Sequence, residues 1–340
     1  MPRIEFNHSG KAVEASSGDW IYDVSTDASG GIPFACKAGA CGTCATEVLA
    51  GAGHLPPASA REVRTLEACG ADPLRYRLPC LCDVPEGDLV FGTPLQARES
   101  EAKLGTHTVE VESYRPLNLT VCEVRFFMPA SSFEFSPGQY MIFHVPGGDG
   151  TPVRRSYSIS TPPSDRRHFE VCVRAVAGGR GSNYVHQLRP GDQLEVEGPF
   201  GDFRLQENSL RDILMIATGT GMAPIKSMLL HLLDQRSHRR VRLFFGVRGE
   251  GDLFYTDLLR GLAAHYPAFE YEIVLSRPSA TGWAGRTGRV TDLIDALLQP
   301  GDVARTEVYL CGSSSMIEDC CGKLAAMGFD GAHLHHENFY

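Results

Sequence analysis

A chain of 340 residues, 43% hydrophobic and 21% charged, is longer than one ordinary domain and can bury two or three separate cores. Its formal charge of −9, with no cluster of Lys and Arg, excludes nucleic acid as a partner, because phosphate contacts need concentrated cations. No apolar run reaches the about 18 residues of a membrane span, and Met1–Phe6 lacks the apolar core of a secretion signal. The expectation is an intracellular, cytoplasmic protein with no membrane insertion. Eleven cysteines are too sparse for a disulfide scaffold, and their uneven spacing suits free thiols plus one metal site.

In chain order, alternation predicts strands at 3–6 and 11–15, a short helix at 18–28 and a strand at 45–49. Between helix and strand lies Cys36-Lys-Ala-Gly-Ala-Cys41-Gly-Thr-Cys44, a C-x4-C-x2-C run of the plant-type ferredoxin spacing. Small residues suit such a loop: Gly39, Ala40 and Gly42 let thiolates turn inward and backbone N–H groups face sulfide. A four-cysteine zinc site is the alternative, but it needs a second close pair, and Cys80 and Cys82 have one residue between them. Arg77-Leu78-Pro79-Cys80 resembles the return loop of plant-type ferredoxins, and that resemblance implies Cys80 as fourth ligand of a 2Fe-2S cluster, with Cys69 and Cys82 as rivals. The resemblance, a ferredoxin-like β-grasp, covers residues 1–92. That segment carries 12 acidic against 7 basic residues, which suits either steering toward a basic acceptor or plain solubility.

Residues 93–104 turn polar and read as a linker. Beyond it, β-branched and aromatic runs at 107–113, 119–127, 139–145 and 169–176 predict an antiparallel β-barrel over 105–207. Arg155-Ser156-Tyr157-Ser158 lies within it and resembles the flavin-binding signature of the ferredoxin-NADP reductase superfamily. Arg155 offers a forked cation for a diphosphate, and Tyr157, on the same strand face, a flat ring for an isoalloxazine. Ser158 falls on the opposite face, within reach of flavin N5 as the family implies. Gly178-Gly179-Arg180-Gly181-Ser182 resembles the second flavin element, a turn opening a helix, with Ser182 as a natural cap. FAD is expected rather than FMN, on the habit of proteins with this domain order.

From 208 to 340 strands alternate with helices: a strand at 212–217, a helix at 223–235, a strand at 241–245 and further repeats, the pattern of a parallel α/β domain. The first strand runs into Thr218-Gly219-Thr220-Gly221-Met222-Ala223-Pro224, where glycines admit a pyrophosphate and Pro224 suits a first helical turn. Pro224 replaces the third glycine of the dinucleotide fingerprint, so the superfamily resemblance carries this half of the argument. It continues through Arg248 after the second strand, Ser276 and Arg277 after the third, and Cys311-Gly312 after the fourth. It implies that Cys311 sits beside the nicotinamide, that Phe339 covers the flavin, with Tyr340 competing, and that Glu337 lies near the hydride path. NADH is expected as donor, with Glu250 or Asp252 for its ribose; Arg248 and Arg277 would instead hold the extra phosphate of NADPH.

A hydride carries two electrons while a 2Fe-2S cluster accepts one, so a flavin between them divides the pair. In domain order the chain resembles reductase components of benzoate and naphthalene dioxygenases and of phenol and methane monooxygenases. The resemblance implies a terminal oxygenase or hydroxylase, or an intermediary ferredoxin, as electron acceptor. The alternatives are a reductase for deoxysugar synthesis or for a quinone, and a redox sensor.

Overall fold

The computed structural model describes residues 1–34, 39, 42–95, 105–129, 133–147, 152–207, 209–279 and 282–339. Cys36, Cys41, linker residues 96–104 and Tyr340 lie outside the described residues. The chain divides into two compact units, 1–105 with 198–202, and 106–197 with 203–340.

The first unit contains β1 (Arg3–Phe6), β2 (Lys11–Glu14), α1 (Ile21–Asp27), β3 (Thr46–Ala50), α2 (Ala60–Ala68), β4 (Tyr76–Arg77) and β5 (Leu89–Pro94), with sheet order β2-β1-β5-β3-β4. Alternation in β1 drives Ile4 and Phe6 inward and leaves Arg3 and Glu5 to pair outside at 2.8 Å. Phe6 stacks on Phe91 at 5.9 Å, and with Ile4, Ile21, Leu66 and Leu89 forms a core in which each side chain contributes about 2 kcal/mol by burial. β5 overruns the expected boundary at residue 92. Pro94 opposes Thr46, and Leu95 donates its N–H to Ala45 at 2.7 Å. Gly92-Thr93-Pro94 has the composition of a turn, but its place is the end of a paired strand, where a proline is tolerated.

The next elements in chain order are β6 (Gly105–Pro116), β7 (Val121–Phe127), β8 (Tyr140–Val145), β9 (Val153–Ser158), β10 (His168–Arg174), α3 (Arg180–Gln187) and β11 (Gln193–Phe200). The sheet, in order β10-β7-β6-β11-β8-β9, curls until Ile159 bridges Val171. Phe126, Phe143 and Phe169 fill its interior, with ring centroids at 5.1 and 5.3 Å from Phe126.

A second sheet follows, made by β12 (Asp212–Thr218), β13 (Val241–Val247), β14 (Phe269–Leu275), β15 (Arg286–Thr287), β16 (Thr306–Ser313) and β17 (Leu334–Phe339). Helices α4 (Met222–Asp234), α5 (Thr256–His265), α6 (Val290–Leu297), α7 (Pro300–Val303) and α8 (Ser314–Ala326) join them. Every strand pair is parallel, in order β15-β14-β13-β12-β16-β17, and β12 buries Ile213 through Ala217 on both faces. The chain winds outward from β12 to β15 and returns beside β12 with β16. That switch point opens a crevice at the strands' C-terminal ends, the usual ligand position in such sheets. No helix among the described residues is long and apolar enough to cross a membrane.

Candidate functional site

At the switch point the chain turns through Gly219, whose φ of +53° favours glycine, and enters α4 with Pro224 in its first turn. A Cβ on Gly221 would lie 2.2 Å from the Cys311 carbonyl oxygen, and one on Gly312 would lie 2.1 Å from Thr218 Oγ1. Only glycine lets the two strand ends close on each other. Above them lies a cavity of about 410 Å³, lined among others by Thr218, Thr220, Arg248, Ser276, Ser313 and Phe339, a size that suits a mononucleotide. Arg277 is exposed and does not line the cavity; its backbone N–H donates to the Arg248 carbonyl at 2.7 Å. The two acids considered for the donor ribose each have a partner within the unit, and Arg174, the partner of Asp252, itself lines the cavity. Glu250 accepts from the Ser279 hydroxyl at 2.7 Å, and Asp252 lies 3.6 Å from Arg174.

The register of β16 against β17 sets Cys311 opposite Glu337, Gly312 opposite Asn338 and Ser313 opposite Phe339. Glu337 is 5% exposed, and its Oε2 accepts from Ser158 Oγ at 3.2 Å, a contact between residues 179 apart in sequence. Burial first, and the Glu337 charge second, push the Cys311 thiol well above its ordinary pKa, so it stays protonated at neutral pH. The Oδ1 atom of Asn338 is buried without a partner among the described residues, an acceptor that a bound amide donor could satisfy.

Ser158 ends β9, and the rest of the signature precedes it: Arg155, Ser156 and Tyr157 are all half-buried. A Cβ added at Gly181 would come within 2.5 Å of Arg155 Cγ and 2.7 Å of Tyr157 Oη, so the start of α3 packs against the signature strand. The two elements therefore meet on one barrel, a cradle whose cation, ring and helix start suit a flavin diphosphate. Ser182 is not the helix cap. Gly179 holds the N-cap in extended geometry, the helix begins at Arg180, and the Ser182 hydroxyl instead accepts from the Val176 N–H at 3.1 Å. Substituting Gly181 by Ala is expected to cost about 1–3 kcal/mol of flavin affinity by overpacking, measured by calorimetric titration of the apoprotein with FAD.

In the first unit Cys44 and Cys80 are each 3% exposed. Gly39 and Gly42 have φ of +69° and +71°, which explains the small residues of the loop. The Trp20 indole N–H donates to the Cys80 carbonyl at 3.0 Å. Of the rival ligands, Cys82 turns its thiol to the Leu78 carbonyl at 3.5 Å, and Cys69 donates to that of Leu66 at 3.3 Å. Buried thiols beside glycines in left-handed geometry fit an iron-sulfur group.

Family models match all three regions: a 2Fe-2S iron-sulfur cluster binding domain at 4–85, an oxidoreductase FAD-binding domain at 109–205 and an oxidoreductase NAD-binding domain at 215–322. The reductase component of phenol 2-monooxygenase from Pseudomonas sp. (strain CF600) is 31% identical, over 93% of this chain and 88% of its own. The ferredoxin–NAD(P)(+) reductase component of the naphthalene 1,2-dioxygenase/salicylate 5-hydroxylase systems of Ralstonia sp. is 32% identical, over 96% and 95%. The chain belongs to the reductase components of multicomponent oxygenases. Among solved structures, the Amycolatopsis cytochrome P450 reductase is similar, with a TM-score of 0.70, 26% identity and coverage of 100% of this reductase and 99% of that chain.

One cluster in this reductase was not anticipated from its sequence. Lys226 on α4 is 5% exposed and bonds Glu123 of β7 at 2.7 Å and Glu170 of β10 at 2.8 Å. Tyr255 donates its hydroxyl to the same Glu123 at 2.5 Å, and the Lys226 ammonium lies 4.7 Å from the Tyr255 ring centroid. The latch ties the barrel to the nucleotide sheet within one unit. A signal for it exists: Lys226 falls on the apolar stripe Met222, Ile225, Leu229, Leu232, Leu233, where a charge is out of pattern.

Proposed function

We propose that this reductase oxidises NADH and delivers electrons one at a time to a separate terminal oxygenase or hydroxylase, directly or through an intermediary ferredoxin. The observation that carries the reading is the bond from Ser158 to Glu337, beside Cys311, because it joins the flavin signature strand to the end of the nucleotide crevice. FAD bound there would accept two electrons as a hydride and release them singly to a 2Fe-2S cluster held by Cys36, Cys41, Cys44 and Cys80.

The chain's own residues then have distinct work. Arg155 and the N–H groups at the start of α3, around Gly179, Gly181 and Ser182, hold the flavin diphosphate, while Tyr157 and Phe339 supply rings for the isoalloxazine. Thr218, Gly219, Thr220 and Gly221 receive the donor's pyrophosphate, and Arg248, Ser276 and Gly312 border the rest of it. Ser158 is held by Glu337, which fixes its hydroxyl, and Cys311 offers a small uncharged surface beside the nicotinamide. With this donor, and with no disulfide among the nine described cysteines, the reading places the protein in the reducing cytoplasm.

Anaerobic mixing with NADH tests the proposal. Flavin absorption should bleach and the EPR signal of a reduced 2Fe-2S cluster should appear, and the absence of both sinks it. Parallel mixing with NADPH ranks the donors. Glu337→Ala is expected to slow flavin reduction by roughly tenfold to a hundredfold through loss of positioning, at unchanged flavin content in stopped-flow traces.

A further inference from the structure

Helix α2 contributes no cysteine from within its span, yet its inner face touches both loops of the first unit that bear the expected ligands. Ser59 caps it, accepting from Glu62 N–H at 3.1 Å. In a Ser-x-x-Glu start the acid would turn back to the cap residue, but here it reaches across the unit. Glu62 Oε1 accepts from Arg77 Nε at 2.8 Å and from the backbone N–H of Leu78 at 2.8 Å, and Oε2 accepts from Arg77 Nη2 at 3.0 Å. Both side chains are nearly dry, Glu62 at 2% and Arg77 at 10%. One turn along, Thr65 donates its hydroxyl to the Gly39 carbonyl at 2.8 Å. At the helix end, Cys69 closes against Gly42, where a Cβ would lie 3.0 Å from Cys69 Sγ.

Glu62, Thr65 and Cys69 stand at i, i+3 and i+7, one stripe of a helix. Two of the three grip the loop that carries Cys44, and the other grips the strand leading into Cys80. We propose that α2 is a clamp that sets the cluster's ligand geometry and charge environment, with Thr65 positioning the loop at Gly39 and the Glu62–Arg77 pair positioning the return loop at Leu78. This rests on the reading that Cys44 and Cys80 are ligands. The pair has a second consequence. Arg77 and Glu62 are opposite charges held side by side in a dry setting, so together they present little net charge to the cluster, whereas either alone presents a full one. Outer partners of metal ligands act in this way on affinity and potential.

The experiment uses the full-length holoprotein, with two readouts that do not depend on turnover: iron release to a chelator under anaerobic conditions, and the reduction potential from an EPR-monitored titration. Thr65→Val should release iron about tenfold faster, while Thr65→Ser, which keeps the hydroxyl, should match the parent. Glu62→Gln leaves the Arg77 cation uncompensated and should raise the potential, because a nearby positive charge favours the added electron. Arg77→Met leaves the Glu62 carboxylate and should lower it, and the double variant should return toward the parent. A purely structural role predicts no such opposition. If Thr65→Val and Thr65→Ser release iron alike and the two charge variants shift the potential the same way or not at all, the clamp is wrong. Should the charge variants fail to fold, the Thr65 pair decides alone. A parent protein with no reduced-cluster signal would instead overturn the ligand reading.

Discussion

Cys44→Ser is expected to abolish cytochrome c reduction while leaving NADH-driven ferricyanide reduction at the parent rate. Cys44 is buried at 3%, and its carbonyl accepts from the Thr46 hydroxyl at 2.9 Å, so the loop is anchored to β3 just after this side chain. Serine fits the same space but is a far poorer ligand for iron than thiolate, and the cluster's ligand set is lost. The flavin cradle has its own core of Phe126, Phe143 and Phe169, which shares no residue with the core around Cys44. Direct two-electron chemistry at the flavin should therefore survive. Retention of cytochrome c reduction after loss of the cluster would put the cluster off the exit path. The same assay separates the rival fourth ligands: Cys80→Ser should behave like Cys44→Ser, whereas Cys82→Ser, whose thiol already faces the Leu78 carbonyl, should retain the cluster.

The features that sequence made readable were local or periodic. The cysteine spacing, the β-branched runs of the barrel and the alternation of strand and helix after residue 208 each depend on neighbours within a few residues, and the strands and helices fall close to the expected ranges. β5 runs past residue 92 to Pro94 because strand pairing, not composition, decides where a strand ends. Ser182 failed as a cap because the helix begins at Arg180, and only the close approach of Gly181 to Arg155 and Tyr157 reveals how α3 is seated. The meeting of Ser158 with Glu337 was reachable only through family resemblance, since no local rule links residues so far apart. The choice of donor acid illustrates the limit from the other side: Glu250 and Asp252 both follow the second strand of the nucleotide sheet, and chain order alone does not show that Ser279 donates to one while the other faces Arg174.

Lys226→Met is expected to destabilise the flavin and nucleotide unit by about 3 kcal/mol, because it leaves the buried Glu123 and the half-buried Glu170 carboxylates without their shared cation. The figure stands at the lower end of the range for a broken buried pair, since Arg115 still bonds Glu123 and Arg125 still bonds Glu170. In a unit of this size that loss lowers the calorimetric midpoint by roughly 6–12 °C. The pH dependence has a defined sign. Burial alone would raise the Glu123 carboxyl, but the charge and hydrogen bond of Lys226, with Tyr255 and Arg115, hold it below the ordinary value. A carboxylate depressed in the folded state stabilises fully above its unfolded pKa, about 4.3 for Glu, and that contribution is lost as pH falls through the folded value. The parent should therefore shed part of its stability below about pH 4, and Lys226→Met should show a shallower acid limb because Glu123 no longer gains as much from folding. Adding Glu123→Gln to Lys226→Met should recover part of the midpoint, since one uncompensated charge is removed. An unchanged midpoint together with an unchanged acid limb would mean that the apolar contacts of α4, not the Lys226 latch, hold the barrel against the nucleotide sheet.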